Sequence, residues 1–179
     1  MARASNDAMA RVQLNSLVSC GIIFWRMEKY MMEALQEAEK AKATGDVPIG
    51  CVIVKDDAII ARGCNRVEAA KDPTAHAEME AIRTAVKATG RERLTGCTMY
   101  VTLEPCSMCA GAIVLSRIER LVIGTMDPKT GACGSLYNIV EDQRLNHRVE
   151  VITGVLADLA ACMIKDFFAD LRKGNGGKQ

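Results

Sequence analysis

From Met27 onward, apolar side chains recur at helical spacing through Met27, Tyr30, Met31, Ala34, Leu35, Ala38 and Ala41, and Gly45 and Pro48 follow. This pattern predicts a first amphipathic helix that begins near Met27. The periodicity then changes. Residues 49–55 and 58–65 are rich in Val and Ile and are split by Asp56-Asp57, which predicts a hairpin of two strands. Asp72-Pro73-Thr74 supplies a cap residue and a proline suited to a first helical turn, so a second helix is expected to run to about Lys87 and stop at Gly90. Further on, a strand is expected at 98–103, a helix at 106–116, a strand at 120–124 and a loop at 127–135. A last strand at 149–153 precedes a closing helix at 158–173, with Leu159, Cys162, Met163, Asp166 and Phe167 along one side. Helix, hairpin, then alternating helix and strand describe an α/β domain of three αβα layers around a mixed five-stranded sheet.

The ends of the chain differ from this body. Arg3 and Arg11 precede a weakly apolar run, Val12 to Trp25, that is diluted by Gln13, Asn15, Ser16 and Ser19. We read residues 1–26 as an extension or the product of an upstream start, with Met27 as the alternative start, rather than as an export signal. Residues 27–173 form the domain, and the polar, Gly-rich 174–179 a frayed tail.

Composition narrows the functional classes. The chain has 179 residues, 49% of them hydrophobic, which suits one ordinary core. Lys plus Arg total 23 against 22 Asp plus Glu, so no global basic field holds nucleic acid, and any such role needs a local site. Aromatics at 4% argue against a sheet of stacking rings. No apolar stretch approaches the roughly 20 residues of a membrane helix. Eight cysteines in a chain with its own core point to reduced thiols and a metal site rather than a disulfide framework.

Two segments concentrate the chemistry: Thr74-Ala75-His76-Ala77-Glu78 and Glu104-Pro105-Cys106-Ser107-Met108-Cys109, each opening a predicted helix. Cys106 and Cys109 share a helix face at an N-terminus, where backbone N–H groups and the helix dipole favour thiolates. With a neutral His76 they make a three-ligand set that suits zinc and leaves one position for an acidified water, unlike a closed four-ligand structural site. Glu78 lies two residues from His76, about 200° around a regular helix, so the two converge only over the helix end. Other readings stand beside these. A Cys-x-x-Cys pair alone also fits a redox dithiol, and a lone histidine also fits a cap or core position. His147 reads as a structural or outward-facing residue rather than as a fourth ligand, and Cys51, Cys64, Cys97, Cys133 and Cys162 read as packing residues.

His76-Ala77-Glu78 with Pro105-Cys106-Ser107-Met108-Cys109 resembles the cytidine-deaminase-like superfamily. Asp46 to Gly50, Asn65, Asp72 to Glu78, Thr102 to Cys106, Asp127 to Gly131 and Leu145 to Glu150 narrow that resemblance to the bacterial tRNA-specific adenosine deaminases. It implies a cytoplasmic homodimer with one zinc ion per subunit that converts adenosine to inosine at the wobble position of a tRNA, usually an arginine tRNA. Carried over residue by residue, it makes His76, Cys106 and Cys109 the zinc ligands and Glu78 the proton shuttle. Asn65 hydrogen-bonds the flipped adenine, Pro48 and Ile49 line its pocket, and the Ala77 backbone meets the base edge. Asp127 and Lys129 lie beside the backbone of the anticodon stem-loop, in a footprint that includes Arg144, Arg148 and basic residues of the last helix. Leu159-Ala160 departs from the more polar pair expected there. A deaminase of free guanine or cytosine shares the zinc core and is the alternative; a non-catalytic zinc module would leave Glu78 idle.

Overall fold

The computed structural model describes residues 24–175. Helix α1 occupies residues 24–43, followed by strands β1 (Gly50–Lys55) and β2 (Ala58–Cys64), a single helical turn α2 (Val67–Ala70) and helix α3 (Ala77–Thr89). Strand β3 (Thr98–Leu103), helix α4 (Ser107–Leu115), strands β4 (Arg120–Thr125) and β5 (Glu150–Thr153) and helix α5 (Ala157–Asn175) complete the order. The five strands form one mixed sheet in the order β2-β1-β3-β4-β5. β1 runs antiparallel to β2 and β3, whereas β3, β4 and β5 are parallel.

Alternation along the strands divides the interior in two. Cys51, Ile53, Met99, Val101, Leu121 and Ile123 pack with α3 and α4 in one core. Val52, Val54, Tyr100 and Val122 face the opposite side with Tyr30, Met31 and Ala34 of α1. The result is the three-layer αβα arrangement expected from the pattern. Asp56 and Asp57 have φ of 49° and 60°, so the hairpin turn has the two left-handed central residues whose twist matches the flanking strands.

Several details differ from the expectations. α1 is already helical at residue 24, and Arg26 pairs with Asp57 at the hairpin turn, so the folded body begins upstream of Met27. Pro73 does not enter α3. Asp72 instead accepts hydrogen bonds from Thr74 N and Oγ1, both at 2.7 Å, and this local turn delays the helix to Ala77. In α5 the inward residues are Ala160 and Phe167, with Met163 partly covered; Leu159, Cys162 and Asp166 face outward. Ala160 is 1% exposed, so a polar residue there would be buried in the core. Cys162 is therefore no packing residue, and Cys64 is only partly buried, while Cys51, Cys97 and Cys133 are buried. Residues 174 and 175 continue α5; the rest of the expected tail, and residues 1–23 with Cys20, lie outside the described residues.

The topology brings four chain segments to one edge of the sheet. Because β1 is antiparallel to its neighbours, the residues just before β1 and just after β2, β3 and β4 all meet there. That edge carries Ile49, Asn65, Glu104 to Cys106 and the loop from Met126.

Candidate metal and substrate site

His76 and Cys106 hold equivalent places, each the residue before the first turn of its helix, α3 or α4. Both are extended, with φ/ψ of −73°/152° and −72°/175°, and neither side chain caps its helix. The imidazole and thiol are thus free for other work. This position also resolves the angle between His76 and Glu78: His76 lies off the helical wheel, over the end of α3.

His76 Nδ1 lies 3.6 Å from both Cys106 Sγ and Cys109 Sγ, and the three donor atoms are all within 4.8 Å of one another. Ligands about 2.3 Å (S) and 2.0 Å (N) from a tetrahedral centre would stand about 3.6 Å apart, so the donor set fits zinc. Its electrostatics fit as well. A hydrogen bond from Cys109, helped by His76, pulls the Cys106 thiol down to about 4. The same pairing, with burial, holds the Cys109 thiol well above its ordinary value, and the hydrogen bond with Cys106 raises His76. These three groups share protons that a cation would displace.

Glu78 is 4% exposed, and burial pushes its carboxyl upward against the pull of His76 and a hydrogen bond from Cys109. It therefore lies against the cluster without belonging to the ligand set.

Beside the cluster is a cavity of about 710 Å³ that reaches His76. Ile49, Asn65, Asp127 and Lys129 line it. Pro48 and Ala77 do not: Pro48 is buried one residue before Ile49, and the Ala77 side chain, at the start of α3, is fully buried in the core. The Asp127 carboxylate is engaged locally, accepting from Lys129 N at 2.9 Å and from Thr130 Oγ1. Arg144 is held by Asp142 at 2.6 Å, whereas Lys129 and Arg148 are exposed. His147 Nε2 bonds the Ile118 carbonyl at 2.6 Å, a structural role.

Several cavity residues escaped the sequence reading. Val67 and Glu68 come from the short α2, which is seated by Asp46: its buried carboxylate accepts from Glu68 N at 2.7 Å and Ala69 N at 3.2 Å. Ala161, Ile164, Lys165 and Phe168 come from α5 at spacings of three, four and seven. That periodicity was available as a signal, because α5 carries one stripe toward the sheet and a second toward the cavity. Glu104, 3% exposed, receives the loop after β4. Burial opposes its ionisation, but hydrogen bonds from Ser135, Asp127 and Cys133 outweigh it and hold the carboxyl below its ordinary range.

Comparison with known proteins agrees with this geometry. The cytidine and deoxycytidylate deaminase zinc-binding region matches residues 26–125. The tRNA-specific adenosine deaminase of Bacillus subtilis (strain 168) is 52% identical over 146 residues, covering 82% of this chain and 91% of that protein. Its counterpart in Haemophilus influenzae is 49% identical over 148 residues, covering 82% and 85%. A solved tRNA:A34 deaminase superimposes with a TM-score of 0.72 at 45% identity over 75% of this chain and 99% of that one. The guanine deaminase of Bacillus subtilis gives a TM-score of 0.53 at 42% identity over 55% of this chain and 64% of that one. Among the described residues, no helix is long and apolar enough to cross a membrane.

Proposed function

The chain belongs to the cytidine and deoxycytidylate deaminase family and, within it, to the tRNA-specific adenosine deaminases, and from that premise we propose that it hydrolyses adenosine at wobble position 34 of a tRNA anticodon, releasing ammonia and leaving inosine. One observation carries the reading: a three-ligand cluster, a buried carboxylate beside it and a cavity reaching its histidine occur together at one sheet edge. His76, Cys106 and Cys109 would hold one zinc ion per chain, and the ion would supply water acidified towards neutral pH. Glu78, shielded from bulk solvent, would move protons to the ring nitrogen and then to the departing amine.

Asn65 hydrogen-bonds the base and Ile49 packs against it, with Pro48 and Ala77 one residue behind Ile49 and His76. An anticodon-loop base is already unpaired, so extruding it costs less than from a duplex. With a formal charge of only +1, the protein meets RNA locally, through Lys129 and Lys165 at the cavity, whereas Arg148 precedes β5 and does not line it. Arg144 contributes less than its sequence position suggests, because Asp142 already binds it. We take the active form to be a cytoplasmic homodimer and an arginine tRNA to be the first substrate to test.

Unmodified tRNAs incubated with the zinc-loaded chain should gain inosine at position 34, read by sequencing or nucleoside analysis. Consumption of free guanine or cytosine with the tRNA left unchanged would overturn the reading in favour of a free-base deaminase.

A further inference from the structure

Glu104 contributes nothing to the cavity wall and nothing to the ligand set, yet its carboxylate is saturated. It accepts from Asp127 N at 2.9 Å, Cys133 N at 2.9 Å, Ser135 N at 3.0 Å and Ser135 Oγ. A carboxylate offers about four acceptor sites, and here all are taken by one loop. Gly131 lies so close to this carboxylate that a Cβ there would come within 2.1 Å of Glu104 Oε2 and 2.5 Å of the Asp127 carbonyl oxygen. The backbone adds to the attachment: Glu104 N bonds Thr125 O at 2.9 Å and Ala132 N bonds Pro105 O at 2.9 Å. The bound loop supplies Asp127, Pro128, Lys129 and Thr130 to the cavity, while Cys106, two residues after Glu104, supplies a metal ligand.

We propose that Glu104 is a positioning residue: its carboxylate is the template on which the 127–135 loop folds, and through that loop it sets the affinity for the tRNA substrate rather than the rate of proton transfer. The affinity half of this inference rests on the function proposed above; the folding of the loop does not. A glutamine at this position keeps the shape but turns one acceptor oxygen into a donor, so it forfeits about half of the four bonds.

The test uses the zinc-loaded full chain with Glu104→Gln, Gly131→Ala and the double substitution. Glu104→Gln should keep its zinc, raise KM for an anticodon stem-loop by about tenfold or more and change kcat little. Amide exchange should accelerate across 127–135 and stay unchanged in α3 and α4. Because both substitutions disturb one contact, their effects on KM should be less than additive in the double variant. Should Glu104→Gln not fold, Ser135→Ala and Gly131→Ala carry the same readouts. An unchanged KM with wild-type loop exchange, a loss confined to kcat, or strictly additive effects would overturn the proposal. If the unsubstituted chain leaves tRNA untouched while Glu104→Gln still loosens the loop, the substrate assignment falls and the template role stands.

Discussion

Two buried carboxylates flank the metal cluster, and their partners separate their roles. Glu78 lies against His76 and Cys109, so its contacts are with the groups that surround the reaction, whereas Glu104 spends both oxygens on backbone and side-chain donors of a loop. On the function proposed above, replacing Glu78 by alanine would remove a proton carrier and no ligand. Glu78→Ala should bind about one zinc per chain while kcat on tRNA falls by roughly 10²–10⁴-fold. Zinc content and single-turnover kinetics check this, and a variant that loses its metal would show Glu78 to be part of the binding set. The ligands were readable in the sequence because His-x-Glu and Cys-x-x-Cys report side-chain spacing directly. Asp46 and Glu104 were not, because they act on backbone N–H groups brought near by tertiary folding, and no local spacing records that.

At the scale of elements, α3 and the hairpin meet at Gly63 of β2, where a Cβ would come within 2.2 Å of Ala77 O and 2.6 Å of Ala81 N. Any side chain there pushes the first turn of α3 off the sheet, and His76 immediately precedes that turn. Gly63→Ala should destabilise the fold by about 2–3 kcal/mol and also weaken zinc binding; thermal melts and a competitive zinc chelator measure the two effects. A variant that melts earlier but holds zinc as tightly would show that α3 can shift without moving its ligand. The strands and most helices were legible because their apolar periods survive in the fold. The start of α3 was misread, since Asp72 prefers its local turn with Thr74 to capping a helix at Pro73. The inward face of α5 was misread too, because small Ala160 is the deeply buried residue while Leu159 is 52% exposed.

For the whole molecule, strand order does what no single motif states. The antiparallel β1 next to the parallel β3 and β4 gathers Ile49, Asn65, the Glu104–Cys106 segment and the 126–130 loop at one sheet edge, although they span much of the sequence. The chemistry was legible from residue types, but the cavity was not, because α5 closes it from a segment about ninety residues beyond His76. The ligand cluster also has a mechanical meaning. Its donors come from two helices and are separated by 30 residues between His76 and Cys106. A bound ion therefore works as a reversible staple across a closed loop of that length, a constraint worth roughly 3–4 kcal/mol by the chain-entropy relation used for disulfides. Removing zinc with a chelator should lower the melting temperature by around 10 °C, and adding zinc back should restore it. A melting temperature indifferent to chelation would mean that the two helices hold their places without the staple. Where the staple operates, zinc supply governs the chain's lifetime as well as its activity: metal-starved protein would open first between α3 and α4 and become a substrate for proteases before it is missed as an enzyme.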